Sequence, residues 1–356
     1  MPKPQTFQKR LLAWYHENAR RDLPWRKTSD PYRIWVSETM LQQTQVAKVI
    51  PYYERFLERF PTVQTLARSS LSDVIDSWSG LGYYSRAKNL HAAAKKVLTQ
   101  HSGKIPSDVD QLQTLPGIGR YTAGAIASIA YDQAAPVLDG NVLRVLCRYF
   151  GIRGDPRGPE GEKELWKLST RLVPKDSPGD FNQALMELGA LVCTPRSPCC
   201  GACPLRGRCR ACALGLQERI PPPRETPRRL RIRYVCGIIE RNGSFLLARR
   251  PFGSLLPGLW EFPGGEKRAG ESEPESLARS LSERLGIRVY PLQLRETLTQ
   301  TLTHRHIEIR AFSCRWTPGR IRPRWYQETR WVRRSDVEDV PFTAGMSRLA
   351  KRLWIG

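Results

Sequence analysis

The sequence predicts two domains, an all-α region over residues 1–216 and a small α/β domain over 234–356, and three observations carry that prediction. Apolar residues recur at helical spacing through the first two hundred positions without strand-like alternation. Residues 217–233 then break the pattern, and the run RIPPPRETPRRLRIR at 219–233 is too charged and proline-rich to build a core, so it reads as a semi-rigid linker. From Tyr234 onward the alternation becomes that of strands. A chain of 356 residues has room for two cores, and a hydrophobic content of 40% supports folded domains.

The formal charge of +23 points to a polyanion, with nucleic acid first; an anionic membrane surface or simple solubility is the plainer alternative. The start MPKPQTFQKR has no apolar signal core, and no apolar run is long enough to span a bilayer. A cytoplasmic, nucleoid-associated protein is expected. In that compartment the nine cysteines read as metal ligands and buried thiols rather than disulfides.

Phe7, Leu11, Leu12 and Tyr15 make 5–18 an amphipathic helix. Pro24 then stops helix and holds Trp25 and Arg26 in a loop. Helical spacing follows at 33–43, 46–59, 71–78, 84–99, 108–114, 120–130, 141–150, 161–172 and 181–191, with Pro51 marking a place for a break near Ile50. In the second domain, strands are expected at 235–240 and 245–248 around an Asn242-Gly243 turn. A helix at 273–285 and strands at 288–298, 305–315 and 325–333 complete it.

Chemistry concentrates in Leu115–Asn141. Leu115-Pro116-Gly117-Ile118-Gly119 makes a tight turn, and the first amides of the helix that follows lie bare beside Gly117 and Gly119, as an anion site requires. Taken alone, these glycines make an ordinary turn and Asp139, twenty residues past Gly119, an ordinary helix N-cap. A second carboxylate, Glu38, sits in SETMLQQT among Ile34, Val36, Met40 and Leu41, a setting too apolar for a solvent-facing glutamate. Paired carboxylates in contrasting environments suit glycoside cleavage, one acting as acid and one facing a cationic sugar. Cys193, Cys200, Cys203 and Cys209 have the spacing C-x6-C-x2-C-x5-C, which fits either a [4Fe–4S] cluster or tetrahedral zinc. Cys199 and Cys212 are extra thiols in the same stretch, where Arg196, Arg206, Arg208 and Arg210 also lie.

The turn, its trailing loop and Asp139 resemble the helix-hairpin-helix superfamily of base-excision glycosylases, to which endonuclease III belongs. SETMLQQT, GLGYYSRAKNLH at 80–91, LDGNV at 138–142 and FNQALMELGALVC at 181–193, with the cysteine loop, resemble MutY adenine DNA glycosylases over residues 7–216. The resemblance implies an all-α helix-hairpin-helix DNA glycosylase domain with a [4Fe–4S] cluster loop, in which residues 28–134 form a six-helix region and 1–27 with 135–216 the cluster-bearing part. Carried over by position, Glu38 protonates the leaving adenine at N7, Asp139 stabilises the sugar cation and Asn141 orients the site. Gln43 and Tyr83 wedge into the DNA stack, Trp25, Arg26 and Gln183 line the adenine pocket, and Gly117 and Gly119 grip a phosphate. Cys193, Cys200, Cys203 and Cys209 hold the cluster. Tyr121 joins the catalytic set at the position where endonuclease III enzymes have a nucleophilic lysine, so base removal without strand cleavage is expected.

Gly265-x5-Glu271-x7-Arg279, followed by SLSERLGI, resembles a Nudix box. Ser280 and Arg284 replace two of its carboxylates and leave only Glu283, so a Nudix-like fold without metal-dependent hydrolysis is expected. Leu302-Thr303-His304 falls where MutY enzymes read 8-oxoguanine, which makes Thr303 and His304 candidates for that contact. The implied partner is double-stranded DNA holding 8-oxoguanine:adenine mispairs, or guanine opposite adenine, acted on by a monomer. An endonuclease III-like pyrimidine glycosylase with lyase activity and a non-catalytic, cluster-bearing DNA-binding or redox sensor are the competing readings. A Nudix pyrophosphatase fused to a DNA-binding domain is weakened by Ser280 and Arg284.

Overall fold

A computed structural model describes residues 4–223, 230–302, 305–337 and 340–355, so residues 224–229 of the expected linker and both Thr303 and His304 lie outside the described residues. The chain divides into two compact units, Met1–Ser70 with Ser85–Glu225, and Leu71–Tyr84 with Thr226–Gly356. The segment at 71–84 thus clusters with the C-terminal part of the chain although it is helical and interrupts the first unit.

Four helices open the chain: α1 (Pro4–Asn18), α2 (Pro31–Leu41), α3 (Val46–Arg59) and α4 (Val63–Arg68). Helix α5 (Leu71–Ser77) belongs to the second unit, and α6 (Ser85–Gln100), α7 (Val109–Gln113) and α8 (Arg120–Tyr131) return to the first. It ends with α9 (Gly140–Phe150), α10 (Pro159–Leu172), α11 (Pro178–Leu191) and the short α12 (Arg210–Ala213). Asp30 starts α2 by accepting from the Tyr32 N–H at 2.8 Å, with Pro31 preset at the first helical position. The expected break in α3 is absent. Val49, Tyr53, Phe56 and Leu57 bury one continuous face, and that packing outweighs the backbone bond Pro51 cannot make. Helix α4 is too short for periodicity to show; its signal is Thr62, whose hydroxyl caps the Thr65 N–H.

One core joins Phe7, Leu11 and Tyr15 of α1 to Val142, Val145 and Leu146 of α9 and Leu185 and Leu188 of α11. Each such burial contributes about 2 kcal/mol. Helix α8 carries alanine and glycine because its neighbours come close. A Cβ at Gly124 would stand 2.1 Å from the Pro136 carbonyl oxygen, so only glycine lets the 132–139 segment run back along α8 toward Asp139.

In the second unit, β1 (Leu230–Arg241), β2 (Ser244–Arg249), β3 (Trp260–Glu261) and β4 (Gly264–Glu266) precede α13 (Glu273–Leu285). Then come β5 (Val289–Leu302), β6 (Arg305–Trp316), β7 (Glu328–Arg333) and α14 (Ala344–Ile355). The sheet is mixed, in the order β3-β2-β1-β6-β5, with β4 on β1 and β7 on β2; β1 runs parallel to β6. Along β1, Tyr234, Cys236 and Ile238 face the core that includes Met346 and Leu349 of α14. Val235 and Ile239 face the opposite core, with Leu277, Leu281 and Leu285 of α13. Period-two alternation here serves two apolar faces, which makes an α/β/α sandwich. Asn242 and Gly243 take positive φ of 49° and 70° in the expected tight turn. Helix α13 begins with a full capping box between Ser272 and Glu275. No helix among the described residues is long and apolar enough to cross a membrane.

Candidate active site

A cavity of about 600 Å³ opens in the first unit, within the size range of small-ligand sites. Ile34, Ser37, Glu38 and Leu41 line it from one face of α2, and Gln183, Met186, Glu187 and Ala190 line it from one face of α11. Both sets have the i, i+3, i+4, i+7 spacing of a single helix face. Tyr121 reaches in from the first turn of α8, and Asp139 and Asn141 from the start of α9.

Glu38 is 6% exposed, and its Oε2 accepts from the Tyr121 hydroxyl at 2.6 Å. Burial pushes its pKa up to about 7, against the lowering effect of the tyrosine hydrogen bond, while the nearby Asp139 charge adds to the rise. Burial, together with the facing negative charge of Glu38, also drives the Tyr121 pKa well up, so the phenol keeps its proton and remains a donor. Asp139 caps α9 by accepting from the Val142 N–H at 2.7 Å, and its other oxygen accepts from the Asn141 amide at 2.9 Å. Burial raises its pKa too, but these two hydrogen bonds pull it part of the way back. Two carboxyls in one cavity are therefore differently disposed: Glu38 holds a proton near neutral pH, and Asp139 has donors arranged around its ionised form.

Arg86, 8% exposed, secures the end of α2 by donating to the carbonyls of Thr39 at 3.0 Å and Met40 at 2.8 Å. Immediately beyond, Gln43 adopts a left-handed φ of 56° and lines the cavity. Gly117 and Gly119 line it as well. Gly117 has φ +79° and a Cβ there would lie 2.7 Å from Asn89 Cβ, so both conformation and space demand glycine. Gly119 is the N-cap of α8, which leaves the first amides of that helix free of any capping side chain. Trp25, Arg26 and Gln183 are in the lining, with Trp25 packed edge-on against Tyr53 at 5.4 Å.

The cavity thus gathers Glu38, Tyr121, Asp139, Asn141, Trp25, Arg26, Gln43, Gly117, Gly119 and Gln183. It does not gather Tyr83, which belongs to the other unit, is 42% exposed and has φ +51°. For a non-glycine residue such a backbone is costly and is typical of functional loops. Sequence reasoning misses a buried charge group. Glu187, 1% exposed, receives Arg20 at 2.8 Å and Arg26 at 2.8 Å. Burial works to raise its pKa, but hydrogen bonds and charge from Arg20 and Arg26 outweigh it and hold Glu187 ionised. The available signal is a glutamate inside the apolar run LMELG. One nitrogen of Arg26, Nη1, is buried without a hydrogen-bond partner, an unspent donor on a cavity-lining residue.

Cys193, Cys200, Cys203 and Cys209 ring a second, smaller cavity. Arg148, 2% exposed, ties this loop to α9 by donating to Thr194 O at 2.7 Å and Cys193 Sγ at 3.3 Å. Arg144, one helical turn earlier, donates to Asn141 Oδ1 at 2.8 Å and Cys193 O at 2.7 Å. Among the described residues no three His, Cys, Asp or Glu side chains converge on the position of a single metal ion.

In the Nudix-like region, Ser280 is buried and its Oγ lies 2.4 Å from where a Gly265 Cβ would stand, so this close approach needs glycine at 265. Arg284 lies 4.1 Å over the Trp325 ring, and Glu283 is paired with Arg279 at 3.0 Å and Arg268 at 3.3 Å. The carboxylate set of a Nudix metal site is absent from the described residues.

A helical domain built round a glycine hairpin and a trailing aspartate, joined to a mixed-sheet domain, defines a helix-hairpin-helix base-excision repair protein with a Nudix-like partner domain. Accordingly, the family model described as HhH-GPD superfamily base excision DNA repair protein matches residues 36–171, and one described as NUDIX domain matches 234–352. The adenine DNA glycosylase of Schizosaccharomyces pombe is 35% identical over 73% of this chain and 69% of its own length. That of Rattus norvegicus is 43% identical over 77% of this chain and 63% of its own length. A solved thermostable thymine-DNA glycosylase superposes with a TM-score of 0.54 at 31% identity, covering 59% of this chain and 97% of that one. The chain belongs to the adenine DNA glycosylase family. It spans 57% to 63% of the length of the mammalian relatives it matches.

Proposed function

We propose that the protein removes adenine from double-stranded DNA where adenine lies opposite 8-oxoguanine or guanine. The observation that carries this reading is a buried glutamic acid with pKa about 7, hydrogen-bonded to Tyr121, sharing one cavity with a capped aspartate. A base flipped into the cavity passes between the α2 and α11 faces. Glu38 gives its proton to N7 of adenine as the glycosidic bond lengthens, which turns the base into a neutral leaving group. Asp139, whose ionised form accepts hydrogen bonds from Val142 and Asn141, faces the positive charge that develops on the sugar, and water completes the hydrolysis. Trp25, Gln183 and the free Arg26 Nη1 supply an apolar wall and polar contacts for the base. The bare amides beside Gly117 and Gly119 suit a phosphate, and Gln43 and Tyr83, each in a left-handed backbone, are each proposed as a residue that wedges into the DNA stack.

Tyr121 occupies the place of a lyase lysine and spends its hydroxyl on Glu38, which leaves no amine for a Schiff base. Base release without strand scission follows. The four thiols around one cavity, with Arg148 donating to a sulfur, fit a [4Fe–4S] cluster held by Cys193, Cys200, Cys203 and Cys209. A bound cluster supplies a rigid tie for this loop and a one-electron couple. With its hydrolytic carboxylates replaced, the C-terminal domain serves as a reader of the base opposite adenine, with Thr303 and His304 as the proposed contacts.

The test is single-turnover base release from duplexes with adenine opposite 8-oxoguanine, against adenine opposite thymine. Release confined to the lesion pair, with breaks appearing only after alkali, is expected. Strand breaks before alkali, or equal release from both duplexes, would overturn the reading. The Tyr121→Phe variant removes a hydrogen bond that stabilises ionised Glu38, so its pKa rises further. The alkaline limb of the pH–rate profile then moves to higher pH by about one unit, while the plateau changes less than about tenfold. A limb moving to lower pH would show that the hydroxyl acts otherwise.

A further inference from the structure

The cysteine cavity holds one thiol more than its spacing motif requires. Cys212 lines it together with Cys193, Cys200, Cys203 and Cys209, whereas Cys199 is exposed and does not. Two independent features aim Cys212 inward. Cys209 is the N-cap of α12 and its carbonyl accepts from the Ala213 N–H at 3.0 Å, so Cys212, three residues on, shares its side of the turn. Cys212 also lies beside Cys200, close enough for its side chain to act on the Cys200 thiol. A soft donor beside one ligand and facing the same space as the other three is placed to exchange with that ligand.

We propose that Cys212 is a reserve ligand, able to take over the iron that Cys200 holds. This rests on the reading that the loop carries a cluster. The exchange balances without an oxidant: the Cys200 sulfur–iron bond breaks, the Cys212 proton passes to the departing Cys200 thiolate, and the Cys212 thiolate forms the new bond. No electron moves. The consequence is a cluster that survives loss or alkylation of Cys200 but not of Cys203, which no spare thiol backs.

The experiment measures iron and acid-labile sulfide per chain, with visible absorbance, in the full-length protein and its Cys200→Ala, Cys203→Ala, Cys212→Ala and Cys200→Ala/Cys212→Ala variants. Parent protein with no iron or sulfide would overturn the cluster reading itself. With a loaded parent, Cys200→Ala should keep at least about half of its iron, whereas Cys203→Ala and the double variant should fall by about tenfold or more. Equal loss in Cys200→Ala and the double variant would overturn the reserve role. If Cys200→Ala yields no folded protein, iron release to a chelator decides, since Cys212→Ala leaves the motif intact. Release at least about threefold faster than in the parent is expected, and an unchanged rate would overturn the proposal.

Discussion

Asp139→Asn should lower single-turnover adenine release by roughly 10³-fold or more while changing affinity for the mispaired duplex less than about threefold. The substitution keeps shape and removes charge. Asparagine is as good an N-cap as aspartate, so its side-chain oxygen still accepts from the Val142 N–H and α9 still starts at Gly140. The proposed phosphate grip beside Gly117 and Gly119 lies on a different turn and is untouched. What disappears is the negative charge proposed to face the sugar cation. Rate and binding would be measured on the same duplex, by quenched time courses and by titration. A parallel loss of both would mean that Asp139 holds the fold of the site rather than the transition state.

Glu38→Gln should cost about 10²- to 10⁴-fold in rate, the usual range for loss of a general acid, and should at the same time stabilise the protein above neutral pH. The folded-state pKa of about 7 lies above the ordinary 4.5, so the folded chain keeps a proton that the unfolded chain has released across that window. Stability therefore declines as pH rises from 4.5 through 7, by about 3 kcal/mol in all. Glutamine carries no such penalty. Denaturant titrations at pH 5.5 and pH 8.5 should show the parent losing stability between them and the variant losing less. An equal loss in both would mean that Glu38 is not the buried acid that titrates.

Much of this arrangement is legible in the amino-acid sequence itself. Helical spacing places α1, α6 and α9 because each buries one face, and alternation from Tyr234 places β1 and β2. The carboxylate pair is legible because each member sits in a short patterned run, SETMLQQT and LDGN. What stays hidden depends on distance along the chain. The Tyr121 to Glu38 hydrogen bond joins positions 83 residues apart, and the Arg26 to Glu187 pair joins positions 161 apart. No local pattern encodes such partners. Pro51 misleads for the same reason, since a local rule predicts a break and burial of Val49, Tyr53 and Phe56 overrides it. Helix α14 escapes sequence reading because it follows the arginine-rich 315–334 region and shows its apolar face only against β5 and its neighbours.

The most direct test of the central claim, that a buried protonated Glu38 delivers the proton to the departing base, is the pH dependence of single-turnover adenine release. The parent should hold a plateau below pH 7 and then fall about tenfold per unit above the Glu38 pKa, while the residual rate of Glu38→Gln stays flat across that range. A parent profile that is flat through pH 7, or a fall of the same shape retained in Glu38→Gln, would contradict the account.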